Sequence, residues 1–247
     1  LPTVKAARPI PKAPNRADAI AAAIPPDVRV LADIGYDLGH VTWRVLTARP
    51  TLRVIGVEIQ PDATERVTQR LAGFERGRDL AARFEARTGD GLEPLAVGEA
   101  DAALFAGLGE PTMLRALAAR PKVATGLGWL VLCPPTTESL LRPALEAAGR
   151  TVRTAAIAFE QGRFYEVLVA GPVGVVPPLD GDPVVAAWGE ELFTSIDRQV
   201  ARAFVDDIAE RFDGAIKAGL RAYRQPGIRE ALGRKLALLD AVRERLA

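Results

Sequence analysis

Apolar and polar positions along this chain fall into two kinds of block. Val28–Ile34, Leu52–Glu58, Arg83–Arg87, Ala102–Ala106 and Leu130–Cys133 are short runs bounded by turn-forming residues, as buried parallel strands are. Between them Val41–Ala48, Pro61–Ala72, Pro111–Ala119 and Glu138–Ala148 have helical spacing. Pro61 falls near the first turn, where its missing N–H costs little. Strands and helices alternating at this interval predict an α/β fold with a doubly wound, Rossmann-like parallel sheet. Ahead of the sheet, Asp18–Ile24 predicts a short helix that Pro25-Pro26 stops. Residues 1–16 hold four prolines and few large apolar side chains, and read as a loose basic arm.

The pattern changes after residue 150. Thr151–Phe159 and Phe164–Ala170 are strand-like and separated by Glu160-Gln161-Gly162-Arg163, a loop that allows only an antiparallel hairpin. The Gly- and Pro-rich stretch 171–183 reads as a linker and closes the α/β domain at about residue 172. Beyond it Trp188, Leu192, Ile196, Val200, Phe204, Ile208, Phe212, Ile216 and Leu220 recur every four residues. Each step of four overshoots a turn by about 40°, so the stripe must wrap a partner or bend near Gly214 or Gly219. Gln225-Pro226-Gly227 turns the chain, and Ile228–Leu246 runs back to complete a C-terminal helical hairpin over 183–247.

Composition narrows the chemistry. One cysteine, Cys133, excludes a disulfide framework and a cysteine zinc site, and one histidine, His40, argues against a multi-His metal site or a Ser-His-Asp triad. No metal is expected. No apolar run approaches the roughly 20 residues that span a bilayer, and no signal-peptide pattern opens the chain, so the cytoplasm is the expected compartment. The net charge of +1 carries no global nucleic-acid signature. Locally, residues 217–235 hold Lys217, Arg221, Arg224, Arg229, Arg234 and Lys235 against Glu230 alone, a patch able to hold phosphates or simply a solvated helix face.

Residues 33–39, Asp-Ile-Gly-Tyr-Asp-Leu-Gly, carry most of the functional signal. An apolar strand ends in an acid and a glycine and turns into a helix, leaving backbone N–H groups aimed at a ligand. The acid Asp37 takes the place of a dinucleotide loop's second glycine, which favours S-adenosylmethionine over NAD. An acid is then expected at the end of the next strand to accept from ribose hydroxyls, and Glu58 stands there, 23 residues after Gly35. Thr88-Gly89-Asp90-Gly91 follows the third strand, where an acid can accept from an adenine amino group. Ala106-Gly107-Leu108-Gly109-Glu110 and Cys133-Pro134-Pro135 end the fourth and fifth strands on the same rim. Tyr36, Phe105 and Trp129 are candidates to stack on a base. Each feature alone is ordinary turn chemistry; their succession at strand ends is what points to a nucleoside.

These motifs resemble the bacterial TrmK family of tRNA adenine-N1 methyltransferases. The family pattern runs roughly Ala-Asp-Ile-Gly-Ser-Asp-His, Gly-Asp-Gly-Leu, Ala-Gly-Met-Gly-Gly, Leu-Gln-Pro-Asn and Tyr-Glu-Ile. This chain has Ala32-Asp33-Ile34-Gly35-Tyr36-Asp37-Leu38, Gly89-Asp90-Gly91-Leu92, Ala106-Gly107-Leu108-Gly109-Glu110, Leu132-Cys133-Pro134-Pro135 and Tyr165-Glu166-Val167. The resemblance covers about residues 16–170 and implies a class I methyltransferase sheet with S-adenosyl-L-methionine as cofactor and RNA, tRNA above all, as partner. Asp33, Ile34, Gly35, Glu58, Ile59, Asp90, Gly91, Gly107 and Leu108 would hold the cofactor, and Asp37 would serve the reaction. Glu110, Pro135, Lys217, Arg221, Arg224 and Arg229 would face the RNA. The chain departs from the pattern at Leu38, Glu110 and Pro135, all acceptor-side. The alternatives are a SAM-binding relative with little or no turnover, acting as an RNA-binding module, and an NAD-dependent oxidoreductase.

Overall fold

The computed structural model describes residues 12–72, 77–135, 140–174, 181–217 and 226–247. Seven strands form one sheet in the order β3-β2-β1-β4-β5-β7-β6. They are β1 (Val30–Ile34), β2 (Arg53–Glu58), β3 (Phe84–Thr88), β4 (Ala102–Ala106), β5 (Trp129–Cys133), β6 (Arg150–Glu160) and β7 (Arg163–Val173). β1 to β5 are parallel, and β7 runs antiparallel to both β5 and β6. The expected parallel sheet closed by an antiparallel hairpin is thus present. Gln161 and Gly162 take φ of 49° and 78°, the left-handed pair that a two-residue hairpin requires. β7 continues three residues past the expected end, because Val173 still pairs with Arg150.

Side chains alternate across the strands into two apolar layers. One packs β-strand residues Leu31, Val54 and Leu104 under α1 (Arg16–Ala23), α2 (His40–Ala48), α3 (Ala63–Ala72) and α4 (Gly77–Ala82). The other packs Ile34, Val57 and Phe105 under α5 (Glu110–Ala119), α6 (Pro121–Gly126) and α7 (Leu141–Ala147). Helices α4 and α6, six residues each, are too short to show periodicity and were not expected. α1 opens earlier than expected. Asn15 accepts from the Asp18 amide at 2.9 Å and the Pro14 carbonyl accepts from Phe159 N at 2.9 Å, which ties the end of the arm to the sheet edge. Residues 1–11 lie outside the described residues.

The four-residue stripe after residue 183 is not one helix. It is divided among α8 (Pro183–Trp188), α9 (Glu191–Thr194) and α10 (Arg198–Lys217). Gly189, at φ 84°, ends α8, and Asp197 starts α10 by accepting from Gln199 N and Val200 N at 2.9 and 3.1 Å. The breaks let the stripe follow its partner. Trp188, Leu192, Val200, Phe204 and Ile208 all reach one core with Ile157 and Phe164 of the β6–β7 hairpin. Of the expected bends, Gly214 falls inside α10, and Gly219 and Leu220 lie outside the described residues. The return segment is likewise two helices, α11 (Pro226–Leu236) and α12 (Leu239–Arg245). Among the described residues, no helix is long and apolar enough to cross a membrane.

Candidate nucleoside site

Register brings the strand ends level. Ile34 pairs with Val57 and Phe105, Glu58 with Thr88, and Ala106 with Cys133, so the loops after β1 to β5 share one rim. Strand order reverses between β1 and β4, where open α/β sheets place ligands. Gly35 and Leu108, on either side of that crevice, come together: a Cβ on Gly35 would stand 3.3 Å from the Leu108 methyls. Gly35 also has φ of 73°, a backbone conformation that side chains rarely adopt.

Glu58 organises the loop. Its carboxylate accepts from Asp37 N at 3.1 Å and from Ile59 N at 2.8 Å, tying the end of β2 to the turn after β1. Asp37 itself is exposed at φ 46°, and Gly39 closes the turn by donating to the Tyr36 carbonyl at 2.8 Å. Ile59 is 60% exposed beside Glu58, an apolar wall at the rim. Ile34 is buried beneath the turn.

Asp33 faces away from solvent. It occupies a core position on the α2 side, 2% exposed, and accepts from Thr42 Oγ at 2.5 Å. Burial pushes its carboxyl up to about 6; Thr42 pulls it down, and the charge of Glu58 raises it. Thr42, on the first turn of α2, is a participant that sequence reading missed. Its signal was a threonine one turn into the helix, where a hydroxyl can reach back to a strand-end acid.

Asp90 is exposed at the end of β3, on a turn in which Glu93 N donates to its carbonyl at 3.1 Å. Gly91, at φ 57°, leaves no room for a side chain, because a Cβ would stand 2.8 Å from that of Ala116. The loop is braced from below. Arg87 donates to both oxygens of Glu99 and to the Pro94 carbonyl, while Glu99 accepts from Ala96 N. The Arg87 hydrogen bond holds the Glu99 carboxyl down at about 2.

The acceptor half differs from expectation. Glu110 is 2% exposed and turned inward, its carboxylate accepting from Leu140 N at 2.6 Å and Leu141 N at 3.1 Å. It caps the start of α7 instead of lining the rim, because the amides at a helix N-terminus favour an anion. Glu110→Ala should therefore lower stability by about 2–3 kcal/mol, leaving buried amides unpaired. A shifted urea midpoint with unchanged slope checks this; an undisturbed midpoint with lost turnover would return Glu110 to the acceptor site. Pro135 is half-buried. Phe105 is fully buried, and Tyr36 lies in the core edge-on to Phe84, so neither presents a face to a base. Trp129 begins β5, at the end of the sheet opposite the rim, and donates to Asp27. His40 is exposed against Arg70, and the buried Cys133 thiol is pushed up to about 12 by burial.

The basic patch also shrinks. Lys235 is 4% exposed, seated 4.3 Å from the Trp188 ring centroid and 4.0 Å from Glu166, beside a cavity of about 470 Å³ that Glu110, Arg142 and Glu166 also line. Burial lowers its pKa, and Glu166 raises it. It joins the C-terminal helices to the sheet and offers nothing to a phosphate. Arg234 pairs with Glu230, and Arg229 is exposed. Lys217 is the last residue of α10, and Arg221 and Arg224 lie outside the described residues.

A rim of this kind, on a parallel sheet ended by an antiparallel hairpin, defines a class I methyltransferase fold. The methyltransferase-domain family pattern matches residues 13–168, and the chain belongs to that family. This bears out the expected methyltransferase class. The TrmK resemblance is borne out by a curated relative, the tRNA (adenine(22)-N(1))-methyltransferase of Bacillus subtilis, 31% identical over 147 residues. That stretch is 59% of this chain and 59% of the relative, so the chain spans less than two thirds of that protein. Among solved structures, an uncharacterized protein from Listeria monocytogenes is similar with a TM-score of 0.70 at 21% identity, covering 92% of this chain and 97% of that one. M. capricolum TrmK bound to S-adenosyl-homocysteine is similar with a TM-score of 0.67 at 14% identity, covering 92% and 97%. At those identities the likeness is one of fold.

Proposed function

We propose that this chain transfers a methyl group from S-adenosyl-L-methionine to an adenine N1 in tRNA or another structured RNA. The observation that carries the cofactor half is Glu58, set at the end of β2 and hydrogen-bonded to the Asp37 amide of the turn after β1. The rim fits the cofactor residue by residue. Glu58 has the acceptor oxygens for a ribose diol, Ile59 and Leu108 offer apolar walls, and Asp90 can accept from the adenine amino group. Gly35, Gly91 and Gly107 hold left-handed backbone that side chains rarely adopt. The cofactor supplies an electrophilic methyl on a sulfonium. The chain's own part is to place the nucleophile in line with it, which accounts for much of the rate in such transfers. Asp37, exposed at the tip of the turn, is placed to steady the positive charge that a purine gains when N1 is methylated.

Support for the tRNA acceptor comes from the B. subtilis relative's activity and from the motif pattern. The inward turn of Glu110 takes one of the three acceptor-side departures, with Leu38 and Pro135, away from the rim. Calorimetric titration should show binding of S-adenosylhomocysteine and none of NAD. Labelled methyl should then pass to unmodified tRNA and appear as 1-methyladenosine on nuclease digestion. Absence of homocysteine-form binding would sink the proposal, and label in a different product would move the acceptor.

A further inference from the structure

Arg16 lies at the acceptor end of the rim, although the sequence placed it in a loose arm. It is the first residue of α1, whose start is pinned by the Asn15 cap and by the Pro14–Phe159 hydrogen bond. From there its guanidinium carbon reaches within 5.4 Å of the Tyr165 ring centroid. Its Nη1 lies 3.5 Å from where a Cβ on Gly107 would stand. Its Nε is 3.7 Å from Glu160 Oε2, an ion pair longer than a hydrogen bond. The two side chains keep 27% and 35% of their surface exposed.

Gly107 divides the rim. On one side Leu108 stands beside Gly35 of the nucleoside loop; on the other, Arg16 of α1 stands beside Gly107. With Tyr165 beneath the guanidinium, its partly exposed donor edge is what a ligand can reach. That edge is a planar fork that suits a phosphate, and stacking on an aromatic ring preorganises it. Glu160 satisfies its charge loosely, through partly exposed contact that a stronger anion can replace. We propose that Arg16, seated on Tyr165, grips a backbone phosphate next to the acceptor nucleotide, exchanging Glu160 for that phosphate. This rests on the reading of the rim as an RNA methyltransferase site and adds to it the residue that positions the acceptor strand.

The test uses the full chain, unmodified tRNA and S-adenosylhomocysteine, with RNA affinity measured over a series of salt concentrations. Arg16→Ala should weaken RNA binding about tenfold and make the slope of log affinity against log salt shallower by about one, the signature of one lost phosphate contact. Homocysteine-form affinity should stay at the wild-type value. Arg16→Lys should keep the slope while recovering only part of the affinity, since a point charge lacks the fork. Glu160→Gln should strengthen RNA binding by removing the competing anion. An Arg16→Ala variant with wild-type RNA affinity and slope overturns the assignment. So does one that loses thermal stability and homocysteine-form affinity in step with RNA binding, because Arg16 would then be a structural link. Wild-type protein that binds RNA without methylating it sinks the function proposed above, yet the slope still judges Arg16. Wild-type protein that binds no RNA sinks both.

Discussion

Glu58→Ala is expected to weaken S-adenosylhomocysteine binding by about 10- to 150-fold. A hydrogen bond to a charged acceptor contributes about 1.5–3 kcal/mol, and every 1.4 kcal/mol is tenfold in affinity. Two losses combine. The ribose hydroxyls would lose their acceptor, and the Asp37 amide, held at 3.1 Å by Glu58, would lose the partner that sets the turn. A 2′-deoxy analogue of the ligand separates them. Wild-type protein should bind it more weakly than the parent, and Glu58→Ala should bind both alike, because the interaction is already gone. Glu58→Gln should fall between, keeping an acceptor without its charge. Equal discrimination by wild type and Glu58→Ala would move the ribose elsewhere on the rim.

The parts of this fold that were legible in the sequence are those where a local pattern has one packing solution. β1, β2, β4 and β5 are short apolar runs because both their faces are buried, and with the more polar edge strand β3 they stand within two residues of where the sequence pattern puts them. The rim loops were legible because glycines and acids, ordinary in any one turn, recur at the ends of successive strands. Orientation was not legible. Glu110 follows a Gly-x-Gly turn in either reading, and only the position of α7 decides that its carboxylate turns inward. The stripe from Trp188 to Phe212 has a helical period throughout, yet Gly189 and the Asp197 cap divide it, and the pieces share one core with Ile157 and Phe164 of the β6–β7 hairpin. Lys235 belongs to a basic run by sequence and to a buried cluster by structure. A count of charges cannot see which face of a helix meets Trp188 and Glu166.

Asp33→Asn should stabilise the protein at neutral pH and not in acid. The Asp33 carboxyl is raised from 3.8 to about 6, first by burial against the α2 face. A raised folded pKa means the native state holds the proton more tightly than the unfolded chain. The contribution to stability is complete below about pH 4 and is lost as pH rises through 6. The difference of roughly two units corresponds to about 3 kcal/mol. Asparagine keeps an oxygen for Thr42 and carries no charge to desolvate. Its advantage over wild type should grow by about 3 kcal/mol between pH 4 and pH 7.5, and differential denaturation at the two values reads this directly. Every other titrating group is common to both proteins, so a flat difference would show that Asp33 is not under this stress. The chain keeps the acid in spite of that penalty, and the function proposed here supplies a reason. A cofactor carrying sulfonium and ammonium charges would favour the ionised form of Asp33, with Glu58 held by the loop amides. Ligand affinity in the wild type should then rise as pH increases through 6. In Asp33→Asn that rise should be absent, so the variant gains stability and loses the pH dependence of binding together.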